Sequence, residues 1–202
     1  MINNSFTLAM TGASGAQYGL RLLEILIQTG QQVNLLISQA AQVVISMETE
    51  HNVGSRPDDV AAYFESLFKP QPGQLQVFGK EQWIAPIASG SGASKAMVVC
   101  PCSSATLSSI AHGSSDNLIE RAADVIIKEQ RKLILVTREM PLSVIHLENM
   151  LKLARLGAVI MPASPGYYHQ PKTIEDLTDF VVARILDHLE IEHELVSRWG
   201  QA

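Results

Sequence analysis

Five places in this 202-residue chain set reactive or ligand-accepting residues directly after an apolar run. FTLAM leads into Thr11-Gly12-Ala13-Ser14, and VNLLI into Ser38. VVCP leads into Cys102-Ser103-Ser104-Ala105-Thr106, KLILVT into Arg138-Glu139, and AVIM into PASPGYYHQP. Glycines and small hydroxyl residues let a ligand approach the backbone, and an arginine fork suits bidentate phosphate binding. The carboxyl of Glu139 beside Arg138 suits proton transfer. Gly12, Gly15 and Gly19 follow G-x-x-G-x-x-x-G, which is neither the dinucleotide fingerprint nor a P-loop. A strand, a tight turn and a helix N-terminus there predict a phosphate cradle. Close packing of strand on helix is the alternative reading of the same glycines.

The basic residues narrow the chemistry. Arg121, Lys128, Arg131, Lys132 and Arg138 fall in one short segment of an acidic chain. Arg121 and Lys128, seven apart, share one helix face, with Glu120, Asp124 and Glu129 as acidic neighbours. Arg131 and Lys132 read as solvated-face residues. Arg184 in DFVVARIL is either a helix-edge residue or a buried phosphate ligand. Glu48 in SMETE reads first as solvent-facing. Tyr168, in a Pro/Gly loop, caps a core or donates to a phosphate. Trp83 and Trp199 suit interface packing or stacking on an aromatic ligand. The six histidines form no HxxxH or HxH arrangement, and His146 reads as an ordinary helix residue. CPC has no second ligand pair, and G-x-S-x-G is missing. These patterns argue against a metalloenzyme or a hydrolase.

Positioning such residues requires alternating strands and helices, and the pattern supplies them. Strands are predicted at 6–10, 33–38, 75–79, 96–101, 132–137 and 158–161. Helices are predicted at 18–30, 40–50, 58–68, 104–113, 116–130, 142–157 and 173–189. Strands apolar throughout predict a parallel sheet covered on both faces. The fold class is therefore α/β, a single doubly wound domain over 1–202 of Rossmann or flavodoxin-like, three-layer form. Ligands in such folds bind beyond the carboxyl ends of the strands near a topological switch point. The 47% hydrophobic and 17% charged content excludes disorder, and a net charge of −5 argues against nucleic-acid binding. No apolar run reaches membrane-spanning length, and MINNSFTLAM lacks the pattern of a signal peptide, so the cytoplasm is expected. Cys100 and Cys102, two apart on a strand, are expected to point the same way and not to bridge each other. The low charge predicts apolar surface buried between subunits, with the segment from about 173 to 202 in the contact.

TGASGAQYGLRLL, ISQAA, VCPCSSATLSSIAHG, DNLIERAADVIIKEQRKLILVTREMPLS, HLENMLKL and MPASPGYYHQP together resemble the UbiX-type flavin prenyltransferases over about residues 6–190. The related cysteine decarboxylases carry a PASANT-like segment where this chain has PCSSAT. Many UbiX-like chains have a lysine in the PCS loop; here Ser104-Ala105 stand there, with Lys95 as a possible substitute. The resemblance implies transfer of a dimethylallyl group from dimethylallyl monophosphate to N5 and C6 of reduced FMN, without a metal. It implies an FMN site of Gly12, Ala13, Ser14, Ser38, Ser103, Ser104, Ala105, Thr106 and Arg138. Tyr168, Arg184, Arg121, Lys128 and Ser89 are the implied prenyl-phosphate ligands. Glu139, Lys128, Glu48 and Ser14 are the implied catalytic groups. A homo-oligomer, dodecameric by resemblance and with sites shared between subunits, and a UbiD-type decarboxylase as user of the product are also implied. A flavin-dependent decarboxylase and a non-catalytic flavin carrier are the competing readings.

Overall fold

The computed structural model describes residues 4–198 and 200. Six strands, β1 (Phe6–Met10), β2 (Val33–Ile37), β3 (Leu75–Phe78), β4 (Ala96–Cys102), β5 (Lys132–Thr137) and β6 (Val159–Pro162), form one sheet. Every pairing is parallel, in the order β3-β2-β1-β4-β5-β6. This is the dinucleotide-fold order rather than the flavodoxin one. The chain winds outward from β1 to β3 and then returns to β4, so the switch point lies between β1 and β4.

Seven helices cover the sheet: α1 (Ala16–Gln28), α2 (Gln39–Glu48), α3 (Pro57–Phe68), α4 (Ser104–His112), α5 (Leu118–Lys128), α6 (Val144–Arg155) and α7 (Ile174–Leu189). Their starts follow local chemistry. Ser38, Ser103, Asn117, Ser143 and Thr173 each accept a backbone N–H from the first turn of the helix they precede. Asn117 and Ser143 therefore start α5 and α6 two residues later than the apolar pattern alone predicts. His146 lies in the first turn of α6 and completes a capping box with Ser143.

Two apolar layers sandwich the sheet. Leu8, Met10, Val98, Cys100, Ile134 and Val136 face α1 and α7, while Ala9, Met97, Val99, Leu133 and Leu135 face α4, α5 and α6. Cys100 and Cys102 fall in different layers, contrary to the alternation rule. The register between β4 and β5 shifts between Val99 and Cys102, and this irregularity reverses which residues face which side. Both cysteines are free and buried. The apolar face of α7 (Val181, Val182, Ile185, Leu186 and Leu189) lies in the chain's own core beside α1. That packing uses one face of α7 and leaves the expected oligomer contact of about 173–202 as a proposal. Exposed apolar residues also gather on and before α6: Met140, Leu142, Val144, Ile145, Leu147 and Leu151.

Candidate active site

The carboxyl ends of β1, β2, β4 and β5 converge as the switch-point rule requires. Thr11 joins β1 to β4: its hydroxyl donates to the Pro101 carbonyl at 2.9 Å and accepts the Ser103 N–H at 2.8 Å. From there a line of contacts crosses the crevice. Glu48, at the end of α2, accepts from the backbone N–H groups of Gly15 (2.8 Å) and Ala16 (3.0 Å) and from the Ser14 side chain. Arg138 Nε donates to the Ser14 carbonyl at 3.4 Å, and the Ser104 hydroxyl donates to Glu139 Oε2 at 2.8 Å. Ser14, Glu48, Arg138, Glu139 and Ser104 thus occupy one crest, with Gly12, Ala13 and Ser38 on the same strand ends.

Both carboxyls are held ionised. Burial works against charge on Glu48, but hydrogen bonds from Ser14, Ala16 and Gly15 and the charge of Arg138 outweigh it and keep its pKa below the usual range. On exposed Glu139 the Ser104 hydrogen bond leads, followed by the Met140 N–H and, against slight burial, the charges of Arg138 and His146; its pKa is also lowered.

The Glu48 contacts change the expected phosphate cradle. The Gly15 and Ala16 N–H groups that the glycine turn would present to an anion already hold the chain's own carboxylate. Two other helix starts keep their donors. Ser38 and Ser103 accept the N–H of the third residue of α2 and α4, so the first two residues of each helix, Gln39, Ala40, Ser104 and Ala105, have N–H groups without an intrahelical acceptor. A Cβ placed on Gly12 would lie 2.5 Å from Ala40 Cβ, so glycine there permits α2 to approach β1 closely. Free amide donors, the Ser38, Ser103, Ser104 and Thr106 hydroxyls and Arg138 make a donor set that fits a flavin mononucleotide.

The remaining predicted residues fall into two separate groups. Lys128 ends α5 before β5, and a Cβ placed on Gly90 would come within 3.0 Å of its Nζ, so Ser89 and Gly90 lie beside it. Arg121 Nε donates to the Ala88 carbonyl at 3.0 Å and its Nη1 to Asp124 at 2.9 Å. Tyr168 and Arg184 line a cavity of about 730 Å³ with His169, Phe180, Asp187 and His193. The Arg184 guanidinium is exposed and held by Asp187 at 2.5 Å, so it is a helix-edge residue and not a buried one. His169 stacks on Phe180 at 5.3 Å.

Arg131 and Lys132 depart from the solvated-face reading. Arg131 binds the carbonyls of Ala93 and Ser94, and Lys132 binds the His188 carbonyl. Lys95 lies over the Phe6 ring, at the amino ends of the strands, so it does not substitute in the PCS loop. Trp83 is exposed, and Trp199 lies outside the described residues. Among the described residues no His, Cys, Asp and Glu group is arranged to hold a metal, and no helix is long and apolar enough to cross a membrane.

The chain matches the Flavoprotein family over residues 2–186. It is 58% identical over 195 residues to the flavin prenyltransferase UbiX of Pseudomonas aeruginosa, covering 96% of this chain and 93% of that one. The chain belongs to the UbiX flavin prenyltransferase family. AnUbiX (PadA1), solved with FMN and dimethylallyl pyrophosphate, superposes with a TM-score of 0.86 at 39% identity and 98% coverage of both chains. A dodecameric FMN-dependent UbiX-like decarboxylase from Escherichia coli O157:H7 gives 0.86 at 40% identity, covering 97% of this chain and 99% of the other.

Proposed function

We propose that the protein transfers the dimethylallyl group of dimethylallyl monophosphate to FMN, giving a prenylated flavin for a UbiD-type decarboxylase. The observation that carries this reading is the hydrogen bond from Ser104, the first residue of α4, to Glu139, with Arg138 beside it reaching Ser14 after β1. Reduced FMN supplies nucleophilic ring atoms, N5 and C6, to the prenyl donor. The α2 and α4 starts and the Ser38 and Ser103–Thr106 side chains hold the cofactor's phosphate. Gly12 and Ala13 give the backbone room, and Ser14 stands toward the ring.

Glu139, kept as a carboxylate, accepts a proton in the transfer and passes it to the departing phosphate. Glu48 acts through Ser14. Arg121, Lys128, Tyr168 and Arg184, with Ser89, neutralise the charge that develops as the prenyl C–O bond breaks. Lys128 precedes β5 and Glu139 follows it, so the six-residue strand separates them by about 20 Å within one chain. A site that uses both takes them from two subunits. The apolar surface around α6 next to Glu139 supports that assembly, and the relatives make a dodecamer the expected form. Two free cysteines suit a reducing compartment such as the cytoplasm.

Anaerobic incubation with reduced FMN and dimethylallyl monophosphate is expected to yield a flavin heavier by one prenyl unit, read by mass spectrometry, with release of inorganic phosphate. Unmodified flavin with the donor intact refutes the proposal. The E. coli relative is described as a decarboxylase, which keeps that activity as the competing reading. Carbon dioxide released from an aromatic acid by this protein alone would favour it.

A further inference from the structure

The chain reverses at the end of α7, and backbone hydrogen bonds hold the reversal. Glu190 takes a left-handed φ of 61°, and its N–H donates to the Asp187 carbonyl at 3.1 Å. The Ile191 N–H donates to the Leu186 carbonyl at 3.0 Å, and Lys132 binds the His188 carbonyl. Ile191 is buried and Leu195 packs on the same core, so the segment between them returns to α7. There His193 meets the Asp187 carboxyl, with only 6% of the His193 side chain exposed. The Leu195 N–H donates to Nδ1 of His193 at 3.4 Å, which puts the ring proton on Nε2, 3.3 Å from Asp187 Oδ1. The other carboxylate oxygen, Oδ2, accepts from Arg184 Nη1 at 2.5 Å. Arg184, Asp187 and His193 line the same cavity as Tyr168.

We propose that Asp187 and His193 are positioning residues that hold the Arg184 guanidinium on the wall of this cavity. A long, exposed arginine spreads over many rotamers, and ordering it costs entropy when an anion binds. An exposed ion pair between residues three apart on a helix fixes neither partner when both ends are free to move. Here the acid is held at its second oxygen by a buried ring. The restraint therefore runs from the returning segment through His193 and Asp187 to Arg184. Asp187 engages Nη1 and leaves the rest of the guanidinium fork for a phosphate. The inference rests on the reading of Arg184 as a prenyl-phosphate ligand.

A double-mutant cycle tests it on the FMN-loaded protein, with dimethylallyl monophosphate as substrate. Asp187→Ala is expected to lower kcat/KM about tenfold, the usual scale for losing a hydrogen bond to a charged group. In the Arg184→Ala background the same change should cost less than about twofold. Inorganic phosphate, the product, should inhibit Asp187→Ala about tenfold more weakly than the parent protein. FMN affinity, followed by flavin fluorescence, should stay unchanged, because neither residue belongs to the cofactor set. His193→Ala should reproduce part of the loss and His193→Gln, which keeps an N–H donor, should recover it; if Asp187→Ala does not fold, this pair decides. An Asp187→Ala effect that is absent, or equal in both backgrounds, overturns the positioning role while leaving that of Arg184 intact. Tighter inhibition by phosphate in Asp187→Ala also overturns it, because Asp187 would then only compete for the guanidinium. A silent Arg184→Ala overturns both.

Discussion

Glu139 and Glu48 flank one arginine, and their hydrogen-bond partners divide the work between them. Glu139 is exposed and takes its chief hydrogen bond from Ser104, whereas Glu48 is tied to two backbone N–H groups and Ser14. Glu139→Gln should slow prenyl transfer on the order of 10²–10⁴-fold while FMN still binds, checked by single-turnover kinetics and flavin titration. A carboxylate whose pKa is lowered stays charged above its ordinary range and loses charge only as the pH falls through the lowered value. The acid limb of the rate profile should therefore lie below the ordinary glutamate pKa. In Ser104→Ala the leading stabiliser is gone, and that limb should move to higher pH. The position of Arg138-Glu139 in the crevice was readable from their place after a strand. The contact of Glu48 with the α1 start was not, because a carboxylate that caps a helix 33 residues earlier leaves no local pattern.

Among the elements, the same division holds. Six strands and seven helices could be read from periodicity, but the starts of α1, α5 and α6 lay two residues off the pattern. What escaped were features set by distant partners. The β4 irregularity moves Cys102 to the opposite layer from Cys100, and Arg131 reaches back to carbonyls 37 and 38 residues earlier. The cap on α1 carries a stability prediction. Glu48→Ala should lower unfolding stability by about 1 kcal/mol at neutral pH, measured by urea denaturation. The lowered pKa of Glu48 makes its contribution complete above the ordinary glutamate range and lost as the pH falls through the folded-state value. The gap between the two proteins should therefore close under acid.

Across the whole molecule, the exposed apolar strip on and before α6 and the separation of Lys128 from Glu139 by β5 fit the proposed site shared between subunits. Low charge and high apolar content pointed to assembly, yet neither identifies the surface. β5 supplies the decisive feature, with Lys128 before it and Glu139 after it. It turns two inactive proteins into a diagnostic pair. Subunits carrying Lys128→Ala and subunits carrying Glu139→Gln should each be nearly inert, but unfolding, mixing and refolding them together should restore activity. With random one-to-one assembly, about a quarter of sites would draw both intact residues from different neighbours, so about a quarter of wild-type turnover should return. A chain that needed both residues in cis would recover none.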